Sequence, residues 1–147
     1  MQITRLAVPQ CSVGEGPVWD VQSQQLYWID ILEKAVYCLN PATGATQRWS
    51  VPNIIGSMAI RKDGGAIVAL ANGVHTLDFA TGECRMLATS ADLNEQVQLA
   101  DGKVDRRGRF IVGSSDRGMK EARGKLYALD PGATRLREID NDIFLAN

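Results

Sequence analysis

Three features of the chain predict an all-β fold assembled from repeated, blade-sized units. Short runs rich in Val, Ile, Tyr and Trp alternate with turn signals, helical periodicity is hard to find, and one strand-and-turn pattern returns twice. The pattern first occurs as Val36-Tyr37-Cys38-Leu39-Asn40-Pro41-Ala42-Thr43-Gly44, a strand entering a tight turn. Val74-His75-Thr76-Leu77-Asp78-Phe79-Ala80-Thr81-Gly82 repeats it 38 residues on. Leu126-Tyr127-Ala128-Leu129-Asp130-Pro131-Gly132-Ala133-Thr134 repeats it after a further 52, the longer step reflecting a polar insertion from about Ser115 to Gly124.

The neighbouring elements keep the same register. Val18-Trp19-Asp20 aligns with Ala59-Ile60-Arg61 and with Lys103-Val104-Asp105. Polar turns then lead into Leu26-Tyr27-Trp28-Ile29, Ala66-Ile67-Val68-Ala69 and Arg109-Phe110-Ile111-Val112. Asp63-Gly64-Gly65 and Arg106-Arg107-Gly108 supply turns of the hairpin type. Each unit thus holds three or four short strands over about forty residues, the size of a β-propeller blade. The predicted blades are 10–50, 51–92 and 93–140, and 141–147 is predicted to open a fourth. A blade buries its faces only against its neighbours, and a ring needs at least about four blades to close. The 147 residues therefore read as one domain, half of a propeller.

Bulk properties remove several function classes. Sixteen Lys and Arg face seventeen Asp and Glu with no basic stripe, which argues against a nucleic-acid partner. The longest apolar runs are too short for a membrane-spanning helix, and Met1 to Pro9 lacks the apolar core of a signal peptide. Cys11, Cys38 and Cys84 are odd in number and lack metal-type spacing, so they are expected to be thiols of a cytoplasmic protein.

The stretch Gly14-Glu15-Gly16-Pro17-Val18-Trp19-Asp20 sets one carboxylate between two glycines at the mouth of an apolar strand. Aligning the units puts Glu15 opposite Gly56, Ala100 and, in the started fourth unit, Asn147. Equivalent positions on innermost strands converge on a propeller's channel. A Glu carboxylate and an Asn carbonyl there are hard oxygen donors suited to Ca²⁺, Mg²⁺ or Mn²⁺ and tolerable for Zn²⁺. On residues alone, an exposed turn carboxylate and a chain terminus account for the pair equally well.

Gly-Glu-Gly-Pro-Val-Trp-Asp followed by Leu26-Tyr27-Trp28-Ile29-Asp30, then Asp101-Gly102-Lys103-Val104-Asp105 with Gly108-Arg109-Phe110 and Gly113, resembles the gluconolactonase/regucalcin family. The resemblance implies about three blades of a six-bladed propeller, one divalent ion in the channel, and hydrolysis of a sugar lactone. It carries the family's metal-binding Glu onto Glu15 and its Asn onto Asn147, while the third ligand, an Asp that also serves as base, has no counterpart in the chain. Gln98 and Ala100 stand where lactonases of the family carry Arg and Asn directed at substrate hydroxyls, ahead of Asp101. Gln98 offers a weaker, neutral grip than a guanidinium and Ala100 none, so the resemblance implies an altered or smaller lactone. The polar insertion matches a loop bordering the substrate pocket, which makes Glu121, with Arg117 and Lys120, a candidate substrate contact.

Other residues invite plainer readings. Asp101 and Asp105, four apart in a strand, are expected on one face, with either Asp101 in the channel or both capping turns and holding Lys103 in ion pairs. His75, the only histidine, is expected to be a satisfied or solvent-facing side chain, and Trp19 and Trp28 to pack between blades. No Gly-x-Ser-x-Gly elbow or phosphate loop occurs, which favours metal over covalent catalysis. The expected function is metal-dependent lactone hydrolysis by the complete propeller. A non-catalytic calcium- or ligand-binding propeller is the alternative, and self-association of two half-propellers into a ring is a third reading.

Overall fold

The computed structural model describes Ile3 and residues 5–146, so Asn147 lies outside the described residues. Twelve strands form three four-stranded antiparallel sheets, each a meander in chain order. The first holds β1 (Gly14–Asp20), β2 (Gln25–Asp30), β3 (Ala35–Leu39) and β4 (Thr46–Ser50). The second holds β5 (Ile55–Ile60), β6 (Ala66–Leu70), β7 (Gly73–Leu77) and β8 (Cys84–Ala88). The third holds β9 (Val97–Val104), β10 (Phe110–Asp116), β11 (Gly124–Leu129) and β12 (Arg137–Ile143). The expected start of a fourth unit at 141 thus falls inside the third sheet. β12 reaches Ile143 because Gly124 still pairs with it, after two shifts of register.

The repeated turn has a repeated cause. Asn40 Oδ1 accepts the N–H groups of Ala42 and Thr43, and Gly44 N–H donates to the Asn40 carbonyl at 2.8 Å. Asp78 does the same with Ala80, Thr81 and Gly82, again closing at 2.8 Å. Gly44 and Gly82 sit at φ 74° and 75°, a conformation that carries little steric cost without a Cβ.

Alternation within the strands builds two inter-blade cores. Tyr27, Ile29, Val36 and Cys38 of the first sheet meet Ile55, Met58, Val68 and Leu77 of the second. Ala69, Val74 and Ala88 of the second sheet meet Leu99, Phe110, Val112 and Tyr127 of the third. At the rim, Phe79 from the second blade's turn stacks on both Tyr27 (5.3 Å) and Trp49 (4.4 Å), and Trp49 Nε1–H donates to its carbonyl at 2.9 Å. Trp28 packs differently from expectation: it stacks on Tyr37 of its own sheet, on the face turned away from the second blade. Trp19 is 46% exposed, because the chain holds no blade on that side of β1 to cover it.

His75 is buried beside Val68, with Nδ1 3.1 Å from the Gly73 carbonyl, which is the satisfied state expected of it. Burial pushes its pKa below the ordinary 6.5. Between that lowered value and about pH 6.5 the unfolded chain binds more protons than the folded one. Stability is therefore full above about pH 6.5 and declines as pH falls below it, a window well above the Asp20 and Asp78 carboxyls, which are held below 3.8 by hydrogen bonds. Urea midpoints between pH 5 and 7.5 are expected to show this slope in the native sequence and not in His75→Gln.

A second expectation concerns the inner strands. β5 lies against β9, and the Ala100 carbonyl occupies the space that a Cβ on Gly56 would take. Gly56→Ala is expected to lower unfolding free energy by about 1–3 kcal/mol, measured by chemical denaturation. An unchanged midpoint would show that the two strands separate at no cost.

Candidate functional site

Each innermost strand carries a bulge at the same level. Register against the next strand shifts between Glu15 and Val18 in β1, between Ile55 and Ser57 in β5, and between Leu99 and Gly102 in β9. A bulge inserts a residue, bends the strand and re-aims side chains. Glu15, Gly56 and Ala100, the positions aligned in sequence, all fall at this disturbance and line one cavity of about 360 Å³. Gln98 and Asp101 line it too, so four of the candidate residues are gathered there: Glu15, Gln98, Ala100 and Asp101. The last described residues, Leu145 and Ala146, enter the same cavity, and Ala146 packs where a side chain on Gly113 would stand.

The approach to Glu15 is held by a buried carboxylate. Asp30, 0% exposed, pairs with Gly14 in register and accepts the N–H groups of Ser12 (2.6 Å), Val13 (3.2 Å), Leu32 (3.2 Å) and Glu33 (3.1 Å). Burial alone raises the Asp30 pKa, but these four donors outweigh it and bring it below the usual 3.8. One side chain thereby ties the segment before β1 to the turn after β2. Glu15 itself is exposed, and its Oε2 accepts only the neighbouring Gly16 N–H, at 3.2 Å, among the described residues. Its oxygens remain available for a hard cation. No cluster of three His, Cys, Asp or Glu occurs among the described residues, so Glu15 fits as one donor of a shell that needs others.

The third sheet supplies the opposite wall. Ser57 Oγ donates to the Ala100 carbonyl at 3.0 Å, fastening the β9 bulge to β5. Asp101 Oδ1 accepts the Gly102 N–H at 2.7 Å within that bulge. Asp101 and Asp105 do not share a strand face as expected, because the bulge breaks the alternation and β9 ends at Val104. Asp105 instead pairs with Arg109 at 2.7 Å, and Lys103 has no ion pair among the described residues.

The polar insertion is shorter than its sequence suggests. β10 continues through Ser115 and Asp116, paired with Gln98 and Val97, so the loop proper is 117–123. Met119 of this loop lines the cavity. Glu121 does not: it is exposed and pairs with Arg123 at 2.7 Å, which holds its carboxyl below the usual 4.5. Ser115 lines the cavity although nothing in its residue type marks it; the continued alternation from Phe110 is the signal that places it. The cysteines are free thiols.

The chain is 34% identical over 144 residues to 6-deoxy-6-sulfogluconolactonase of Pseudomonas putida, which covers 97% of this chain and 49% of the relative. It is 32% identical over 133 residues to regucalcin of Xenopus laevis, covering 87% of the chain and 44% of the relative. The chain thus spans about half the length of the curated relatives it matches. Among solved structures, a calcium-binding protein, regucalcin, from Agrobacterium tumefaciens superposes with a TM-score of 0.82 at 24% identity, over 92% of this chain and 45% of that one. The three sheets match half of a six-bladed propeller. Residues 13–147 match the model of the SMP-30/Gluconolactonase/LRE-like region, and the chain belongs to that family.

Proposed function

We propose that this chain is the N-terminal half of a cytoplasmic propeller that hydrolyses a sugar lactone to its hydroxy acid with the aid of a divalent ion, Ca²⁺, Zn²⁺, Mn²⁺ or Mg²⁺. The observation that carries the proposal is Glu15: a carboxylate with available oxygens, on the bulge of an innermost strand, in a cavity shared with Gln98 and Asp101. Relatives named as lactonases support the same class of small-molecule substrate.

Glu15 and Asn147 are the residues that would hold the ion, with a third ligand supplied from outside the chain. A bound divalent ion polarises a carbonyl oxygen as a Lewis acid. Gly56 and Ala100 present no polar side chain at their level of the channel, so this wall leaves room for a ring. Gln98 and Asp101 orient that ring by hydrogen bonds. Water adds to the ring carbonyl, the bond to the ring oxygen breaks, and that oxygen takes up a proton, so lactone and water become one hydroxy acid.

A second reading, a propeller that binds calcium or a ligand without turnover, draws on Gln98 and Ala100. A neutral amide and a methyl hold a polar substrate less firmly than charged or amide-rich positions do. The two readings separate in a pH-stat assay of the full-length protein over a panel of lactones, with Ca²⁺, Mn²⁺ and Zn²⁺ each supplied. Acid release is expected with at least one metal. Glu15→Gln is expected to cut kcat/KM by at least about 100-fold, and chelation to abolish turnover. Turnover unchanged by either treatment contradicts the metal role of Glu15, and metal binding without any acid release favours the second reading.

A further inference from the structure

The cavity contains a polar group that the proposed chemistry leaves unused. Ser115 is 2% exposed, lines the cavity, and its hydroxyl has no hydrogen-bond partner among the described residues. Its neighbour Ser114 shows the ordinary alternative: that hydroxyl accepts the Lys125 N–H at 2.9 Å and is spent on the β10–β11 connection. No fully buried side-chain nitrogen or oxygen lacks a partner among the described residues, so the Ser115 oxygen opens into the cavity and is not sealed in protein. A nearly buried hydroxyl without a partner is costly unless something else completes it.

Register identifies its companion. Ser115 stands directly opposite Gln98 across the β9–β10 pair, and Ser114 opposite Leu99. Leu99 points into the core between the second and third blades, so Gln98 and Ser115 share the other face, toward the cavity. Side chains directly opposed in an antiparallel pair have Cβ atoms about 4.5–5.5 Å apart. Gln98 also has no hydrogen-bond partner among the described residues. Between them the amide and the hydroxyl present donors and acceptors at two adjacent points.

We propose that Ser115 is a substrate-binding residue which, with Gln98, forms a neutral two-point clamp on the hydroxyl-bearing edge of the lactone. The inference rests on the lactonase reading and adds to it a residue and a preference for substrates with neighbouring hydroxyls. Neither group changes charge between about pH 5 and 9. The grip is therefore expected to be insensitive to pH in that range, and to salt.

The test uses the full-length protein with glucono-1,5-lactone and δ-valerolactone, whose ring bears no hydroxyl. Ser115→Ala is expected to raise KM for the hydroxylated lactone by about 2- to 10-fold, the value of one uncharged hydrogen bond, with little change in kcat. The preference for it over δ-valerolactone falls by the same factor. Ser115→Thr, which keeps the hydroxyl, restores most of that preference, and Ser115→Ala combined with Gln98→Ala loses less than the product of the single effects. An unchanged preference in Ser115→Ala, or an equal loss on both lactones, overturns the clamp while leaving the lactonase reading intact. If the unmodified protein releases acid from no lactone, that reading fails and the clamp fails with it.

Discussion

β5 and β9 approach one another more closely than a side chain at Gly56 would allow, and the geometry of the candidate site depends on that approach. The Ala100 carbonyl fills the space beside Gly56, and Ser57 Oγ donates to the same oxygen at 3.0 Å. Backbone of the third blade is thus fixed against backbone of the second at the level where both strands bulge. A side chain at Gly56 would force the strands apart and widen the cavity that Glu15, Gln98, Asp101 and Ser115 line. Packing density tolerates little such adjustment, because the Leu99, Phe110 and Tyr127 core lies immediately behind β9.

Three structurally equivalent positions on the inner strands carry a carboxylate, a hydrogen and a methyl group at Glu15, Gly56 and Ala100. Repetition creates the positions, and divergence among the repeats creates the site. The first blade contributes charge, made reachable by a segment that Asp30 anchors through four backbone donors. The second contributes space. The third contributes hydrogen-bonding groups: a carboxylate within its bulge at Asp101, and neutral groups beside the bulge at Gln98 and across the strand pair at Ser115. In the function proposed, the cation is held on one side of the channel and the substrate is contacted on another.

Much of the architecture was legible because its causes are local. The Asn40 and Asp78 turns repeat their side-chain hydrogen bonds as well as their sequence, and apolar alternation marks the strands between them. The misread elements lack such local causes. β12 carries almost no apolar alternation, being held by pairing to β11, so the sequence does not show that the third unit runs on to Ile143. Ser115 and Asp116 looked like loop, yet β9 is long enough to pair with both. Asp101 and Asp105 looked co-facial because strand periodicity does not announce a bulge. Trp19 has the composition of a core residue and is exposed because no other sheet of the chain packs on its face of β1. Aligning the repeats points to Glu15 and Ala100, the motif that carries the family resemblance points to Gln98 and Asp101, and Ser115 requires the three-dimensional register.

The central claim is that the Glu15 carboxylate is a metal ligand in the complete propeller. Crystals of the full-length protein grown with Mn²⁺ test it directly through anomalous diffraction at the manganese edge. A peak about 2.0–2.6 Å from a Glu15 carboxylate oxygen, the range of hard-cation bonds to oxygen, is the expected result. A peak elsewhere in the channel, with Glu15 turned into an ion pair with a later blade, would contradict it.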